Sequence, residues 1–154
     1  MAEIIIYNFK LQNTVMTKNK RSAIKKEFVN LKEWLAASDI LNEAIQFVNK
    51  KGWQQGEIVP VSQVCLATAI ERAWQQKKYS LVDFNYTRDA LSKILKVPRE
   101  PEPLPSDPLA VPYWGRHFME WNDAPGRTKE QVIGVLRSAS TLATELAERS
   151  KSEV

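Results

Sequence analysis

Four side chains in this sequence are candidates for a catalytic role: His117, Glu120, Asp123 and Cys65. His117 and Glu120 stand three residues apart, so a helix would place them on one face, where the carboxylate can orient the imidazole as a general base. Asp123 lies in the same stretch, YWGRHFMEWND. These three residues form the candidate catalytic set of a small hydrolase, although a lone histidine is more often an ordinary surface or half-buried residue.

Cys65 offers a second catalytic possibility, as a nucleophile paired with His117. It falls on the apolar stripe of a predicted helix, however, where a free cysteine behaves as a small hydrophobic residue. With one cysteine and one histidine, the chain has no internal disulfide and little material for a metal site. The glycine-rich phosphate-binding motifs and the H-E-x-x-H motif are also absent. The sequence therefore predicts neither a metal nor a cofactor.

The stretch WNDAPGRT, residues 121–128, combines polar side chains with a turn. Pro125 and Gly126 are typical of a tight turn, since proline fixes φ and glycine tolerates a positive φ. Thr128 and Gln131 have the spacing of a capping box at the start of a helix. A structural turn is favoured over a binding site, and both interpretations remain open. The candidate binding residues in this stretch are Trp121, Asn122, Asp123 and Arg127.

Two further interpretations concern this stretch and the loop at residues 52–60. Asp123 is close enough in sequence to pair with Arg127 across the turn, and Asn122 is suited to satisfying backbone groups where its helix ends. Trp53, Trp114 and Trp121 flank loops. Burial in the core with one exposed edge is favoured, and lining a groove between the last helix and the 52–60 loop is the alternative. Tryptophan and arginine together are typical of binding sites. Trp53 therefore joins the candidate binding residues.

The net charge of +4 resides in the first 30 residues, which hold six bases and two acids, and the rest of the chain is neutral. This basic arm has no aromatic side chain among its bases, so any contact with nucleic acid would be made to phosphates and would depend strongly on salt. A solvated tail is the simpler interpretation. The bases concerned are Lys18, Lys20, Arg21, Lys25 and Lys26.

The elements that position these residues are mostly helical. Apolar spacing predicts helices over 31–50, 63–77 (capped by Ser62), 87–96, 113–120 and 129–148. A short strand is expected at residues 4–9, IIIYNF, and an extended, proline-rich connector at residues 98–112. We therefore expect a mostly α fold with a strand-plus-arm segment at 1–30 and one helical domain at 31–150, containing four to five helices. A lone strand needs a partner, so we expect it either to join a small sheet within the domain or to be shared between two copies of the chain.

Three groups of residues resemble an uncharacterised family of small bacterial and phage proteins, a domain of unknown function. They are G-W-x-Q-G at residues 52–56, C-L-x-x-A at 65–69 and W-N-D-x-P-G-R-T at 121–128, followed by Val132 and Leu136. The resemblance covers about residues 37–147. It departs from the family pattern at Gln131, where many members carry an acid. The resemblance implies a compact helical domain and assigns no activity.

Together these observations favour a non-catalytic interaction or regulatory module that binds a protein or a nucleic acid, with the small hydrolase as the alternative. No apolar run approaches the ~20 residues that a membrane-spanning helix requires. The start of the sequence does not have the form of a secretory signal. We therefore expect a cytoplasmic protein without a membrane partner.

Overall fold

The computed structural model describes residues 30–56, 63–98 and 115–152. Five helices lie in these ranges: α1 (30–51), α2 (Leu66–Lys77), α3 (Leu81–Leu95), α4 (Gly115–Asp123) and α5 (Lys129–Ser152). The only extended pairing in the same ranges is one parallel bridge between Trp53 and Val64. The predicted mostly α fold is confirmed. The predicted strand at 4–9, the basic arm and residues 99–112 of the proline-rich connector lie outside the described residues.

All five helices contribute to one hydrophobic core. Its largest fully buried apolar side chains are Phe84, Ile40, Leu41, Leu66, Ile70, Leu91, Leu136, Val48, Val64 and Val132. Several alanines are also fully buried, which lets helix backbones approach closely because their side chains are small. These are Ala37, Ala44, Ala69, Ala73, Ala90, Ala139, Ala143 and Ala147. Within the described ranges, no helix combines the length and the apolar character of a membrane span.

A chain of hydroxyl groups joins α1 to α5. Ser38 Oγ lies 2.9 Å from both Ser140 Oγ and Thr144 Oγ1, and Ser140 Oγ donates to Asn42 Oδ1 at 2.9 Å. Thr144 Oγ1 in turn donates to the backbone oxygen of Ser140 at 3.1 Å. Because Ser38 and Ser140 are buried, these bonds replace the hydration that both hydroxyls lose on folding. The contact therefore fixes how α1 and α5 align.

Two helices begin at positions that differ from the predicted ones. The second helix was expected to start near residue 63 behind Ser62, but it starts at Leu66 and its N-cap is Cys65, whose sulfur accepts from Thr68 N at 3.4 Å. The third was expected to start at Thr87 or a few residues earlier, and it begins at Leu81. Ser80 and Asp83 form a complete capping box there. Local side-chain bonds at the N-cap, rather than apolar spacing, set both boundaries.

The first part of α1 packs against the α2–α3 connection and the first half of α3. Tyr79 Oη donates to Asp39 Oδ2 at 2.8 Å, and Tyr86 Oη donates to Asn30 Oδ1 at 3.1 Å. The ring of Tyr86 meets Trp34 edge-on, with 4.7 Å between ring centroids. Burial, together with the hydrogen bond to the Asp39 carboxylate, raises the pKa of Tyr79 to about 12. Tyr79 is therefore held as a neutral hydrogen-bond donor.

Candidate functional site

The side chain of Asn122, at the end of α4, is the centre of a polar cluster. Its Oδ1 accepts two hydrogen bonds, from Trp53 Nε1 at 2.8 Å and from the backbone N of Leu66 at 3.1 Å. Its Nδ2 donates to Asp123 Oδ1 at 2.7 Å. Asn122 is only 1% exposed, so its amide depends on these bonds in place of water, and the bond from Leu66 N is itself buried. One side chain thus joins the end of α4 to the loop after α1 and to the start of α2.

The loop at residues 52–56 supplies the other half of the cluster. Gln55 Nε2 donates to the backbone oxygens of Asn122 and Ala124, at 3.1 and 2.7 Å. Gly56 N donates to Asp123 Oδ1 at 2.9 Å. The last carbonyls of a helix have no partner within that helix, so Gln55 satisfies groups that would otherwise need water. We call Trp53, Gln55, Gly56, Asn122 and Asp123 the Asn122 clasp.

The loop itself is fixed by backbone bonds on either side of the clasp. Gln54 N donates to Val64 O at 3.1 Å, and Val64 N donates to Gly52 O at 3.0 Å. Gly52 takes a φ of +82° directly after α1, the left-handed conformation in which many helices end. Val64 and Leu66 flank the N-cap of α2. The loop holds Val64 through these two backbone bonds, and Asn122 holds Leu66 through its backbone N.

The turn between α4 and α5 has the predicted form. Gly126 takes a φ of +77°, and Arg127 N donates to Ala124 O at 3.1 Å. Gln131 N donates to Thr128 Oγ1 at 3.2 Å while Thr128 N donates to Gln131 Oε1 at 3.0 Å, so the capping box is complete. α5 begins at Lys129, as its sequence predicted.

Arg127 does not form the expected ion pair with Asp123. Its Nε donates to Trp121 O at 2.9 Å, and its Cζ lies 3.8 Å from the centroid of the Trp121 ring. Asp123 Oδ1 accepts instead from Gly56 N and Asn122 Nδ2. A guanidinium over an indole face makes a favourable cation–π contact. We call this contact the Arg127–Trp121 stack.

The candidate catalytic residues are brought together only in part. His117 Nδ1 lies 3.8 Å from Glu120 Oε2, so these two share a face of α4 as expected. Asp123 is six residues beyond His117, which places it about 240° around the helix. The carboxylate of Asp123 belongs to the Asn122 clasp, so the three residues do not converge on one reacting centre.

Cys65 is buried, in agreement with the prediction that it belongs to the core. Its sulfur lies 3.2 Å from Thr68 Oγ1 and caps α2. Among the described residues, no group of three or more histidine, cysteine, aspartate and glutamate side chains is arranged to hold a metal ion. Trp114 and the bases of the arm lie outside those residues, while Trp53 and Trp121 are partly buried and pack against the core, as the favoured interpretation predicted.

Several clasp partners were not predicted as functional residues. Gln55 and Gly56 were named only as part of the motif G-W-x-Q-G. Nothing in the sequence indicated that the backbone amide of Leu66 bonds to Asn122. Asn122 was expected to satisfy groups at the end of its own helix, but its acceptor oxygen serves the start of α2, 56 residues earlier. A glutamine between a tryptophan and a glycine in a loop was the one available hint.

These contacts define a small helical domain whose loop, turn and second helix are joined through one buried asparagine. The chain belongs to the family of unknown function DUF6197, whose model matches residues 33–142. That range contains every residue of the clasp and ends within α5. Searches among curated proteins and among solved structures found no match to the chain.

The turn gives a direct stability prediction. Thr128→Ala should lower the free energy of unfolding by about 1 kcal/mol, the usual cost of losing an N-cap. Gly126→Val should cost more, because a β-branched residue resists the positive φ. The space around Gly126 is open, so the effect would come from backbone strain rather than from a clash.

Chemical denaturation measures both effects. Gly134 is the matched control, since it also has open space around it but lies within α5 at an ordinary φ. Gly134→Val should therefore cost less than Gly126→Val. Equal midpoints for these two valine variants would contradict the assigned turn, and an unchanged midpoint for Thr128→Ala would remove Thr128 as the cap.

Proposed function

We propose that this protein is a non-catalytic interaction module that binds a protein partner through the turn between α4 and α5. The observation that carries the proposal is the Asn122 clasp. The amide of Asn122 and the carboxylate of Asp123 are polar groups of the kind found in catalytic sites. In this structure they form hydrogen bonds with the backbone and side chains of neighbouring elements. Groups engaged in this way stabilise the fold and hold the turn in one conformation.

The outer side of this turn has the composition of a binding surface. The Arg127–Trp121 stack is half-buried, so both side chains are fixed and still accessible. Asp123 is exposed at the end of α4, and Met119, one turn earlier on the same face of that helix, is 36% exposed. Tryptophan and arginine dominate the energetics of many protein interfaces, and a fixed side chain loses little entropy when it binds. A partner surface with a carboxylate for Arg127 and an apolar group for Met119 fits this chemistry.

The hydrolase alternative has less support. His117 Nδ1 and Glu120 Oε2 lie 3.8 Å apart, which is longer than a hydrogen bond between these two atoms. Asp123 also points to a different part of the helix surface. Nothing in the described residues favours this alternative over binding.

The basic arm supports a second partner class, a nucleic acid. Lys18, Lys20, Arg21, Lys25 and Lys26 fall within nine residues, and the arm carries the whole net charge of +4. Lysines bind phosphates as point charges, so such binding would be insensitive to base sequence and would weaken steeply with added salt. The exposed Met119 and the half-buried Trp121 favour a protein partner over a nucleic acid.

Site-specific photocrosslinking tests the proposal. A photoreactive phenylalanine replaces Met119, and the same residue replaces the exposed Thr141 on α5 as the matched control. In the cells from which the protein comes, the Met119 probe should crosslink to a discrete protein and the Thr141 probe should not. Arg127→Ala should weaken that binding about tenfold, a loss typical of an interface anchor.

The outcomes separate the partner classes. Equal crosslinking from both positions, or none from position 119, would contradict a binding surface at the turn. A crosslinked species that nuclease removes, and that is lost when the five bases of the arm become glutamine, would show that a nucleic acid is the partner instead. A thermal melt of Arg127→Ala serves as the control for folding.

A further inference from the structure

A second surface lies away from the turn and takes no part in the clasp, although two of its residues, Ala36 and Tyr79, are buried in the core or packed against it. Leu31, Lys32, Leu35, Ala36 and Tyr79 line an open groove of about 380 Å³ between α1 and the α2–α3 connection. Leu35 is 44% exposed, although it lies on the same helix as the fully buried Ile40 and Leu41. The hydrogen bond from Tyr79 to Asp39 fixes one wall of this groove. The groove is therefore preformed and largely apolar.

The apolar surface continues along the chain from Tyr79. Leu81 and Val82 occupy the first two positions of α3 and are 57% and 50% exposed. Four large hydrophobic side chains are exposed in the described ranges. One of them, Leu35, lies in the groove, and two more, Leu81 and Val82, follow the groove residue Tyr79 within three positions of the sequence. Single exposed hydrophobic residues are ordinary, so the exposed Leu35 within the groove is the stronger sign that something covers this surface.

We propose that residues 4–9 of the same chain, IIIYNF, occupy this groove. Three isoleucines, a tyrosine and a phenylalanine within six residues make this the most apolar stretch before α1. The described chain begins at Asn30, one residue before the first groove residue, Leu31. The described ranges contain no β-sheet that such a segment could join, whereas the groove offers an apolar surface close to where the N-terminal segment enters the domain.

The length of the connection favours the chain's own segment over that of a second copy. Residues 10–30 separate IIIYNF from the groove, and at no more than about 3.6 Å per residue this connection keeps the two within about 75 Å of each other. Tethering at such a distance gives an effective concentration on the order of millimolar. A second copy at micromolar concentration would compete at a disadvantage of about a thousandfold. A shallow groove with weak affinity is therefore filled from within the same molecule.

Paramagnetic relaxation in the full-length chain tests this inference. A nitroxide attached at Glu3→Cys leaves residues 4–9 intact, and Cys65→Ser removes the other thiol while keeping a side chain suited to an N-cap. The amide signals of Leu31, Leu35 and Tyr79 should lose at least half of their intensity relative to the reduced label. Thr141 and Glu145, which line a different groove, are the control positions.

Two further samples define the outcome. Leu35→Asp should restore the signals of Leu31 and Tyr79, because a carboxylate in the groove disfavours apolar side chains. Mixing isotope-labelled chains that carry no nitroxide with unlabelled chains that carry it should leave the signals unchanged. Broadening in that mixture would show that a second copy is the occupant and would overturn the inference. Equal broadening at the two grooves, or none at Leu35 and Tyr79, would overturn it as well.

Discussion

Replacing Asn122 with leucine should lower the free energy of unfolding by about 3 kcal/mol or more. Leucine fills a similar volume but accepts no hydrogen bond, so the amide of Leu66 and the indole N–H of Trp53 would both lose their acceptor. Each buried donor left unsatisfied costs about 1–3 kcal/mol. Chemical denaturation followed by circular dichroism measures the loss.

Asn42→Leu is the matched control for this substitution. Asn42 likewise lies on a helix. Its side-chain oxygen accepts a single hydrogen bond, from Ser140 Oγ, and the residue is exposed to water. Its replacement should therefore change stability by less than about 1 kcal/mol. Similar losses for the two variants would show that Asn122 has no special structural importance.

The second large effect is expected in the core. Leu136 on α5 has no exposed surface, so Leu136→Ala should cost about 2–5 kcal/mol through lost burial and the cavity left behind. Leu142 lies on the same helix, half-buried at the edge of a groove. Leu142→Ala should cost clearly less, because water already reaches part of that side chain.

Thermal and chemical denaturation of these two variants test the orientation of α5. The face of α5 that is directed toward the core includes Val132, Leu136, Ala139 and Ala143, and Leu142 lies beside it. If Leu142→Ala lowers the free energy of unfolding as much as Leu136→Ala does, Leu142 is as deeply buried as Leu136, and the helix is rotated from the orientation in this structure.

Features encoded by neighbouring residues were predictable from the sequence. The start of α5 and its capping box depend on Thr128 and Gln131, three positions apart, and both were identified correctly. The start of α3 was also encoded locally, by Ser80 and Asp83, but apolar spacing alone drew attention to the later residues. Leu81 and Val82 are exposed at that start, so the hydrophobic pattern begins only further along the helix.

Features that depend on distant residues were not predictable. Trp53 and Asn122 are 69 positions apart, and Ser38 and Ser140 are 102 apart. A polar residue in a helix gives no indication of which distant group it will bond, since that depends on how the helices pack. For the same reason Asp123 was assigned to its neighbour Arg127, although the structure gives it the amide of Gly56. The residues of the clasp were partly identified, but their arrangement was not.

A double-mutant cycle between Trp53→Phe and Asn122→Leu tests most directly whether the W-N-D stretch is a structural clasp. Trp53→Phe removes the indole donor that bonds to Asn122 Oδ1 at 2.8 Å. The two changes in unfolding free energy should then be non-additive by about 1 kcal/mol or more, because the double variant no longer leaves that donor unsatisfied. Additive effects, within about 0.3 kcal/mol, would show that the two side chains do not stabilise the fold together. That result would contradict the clasp.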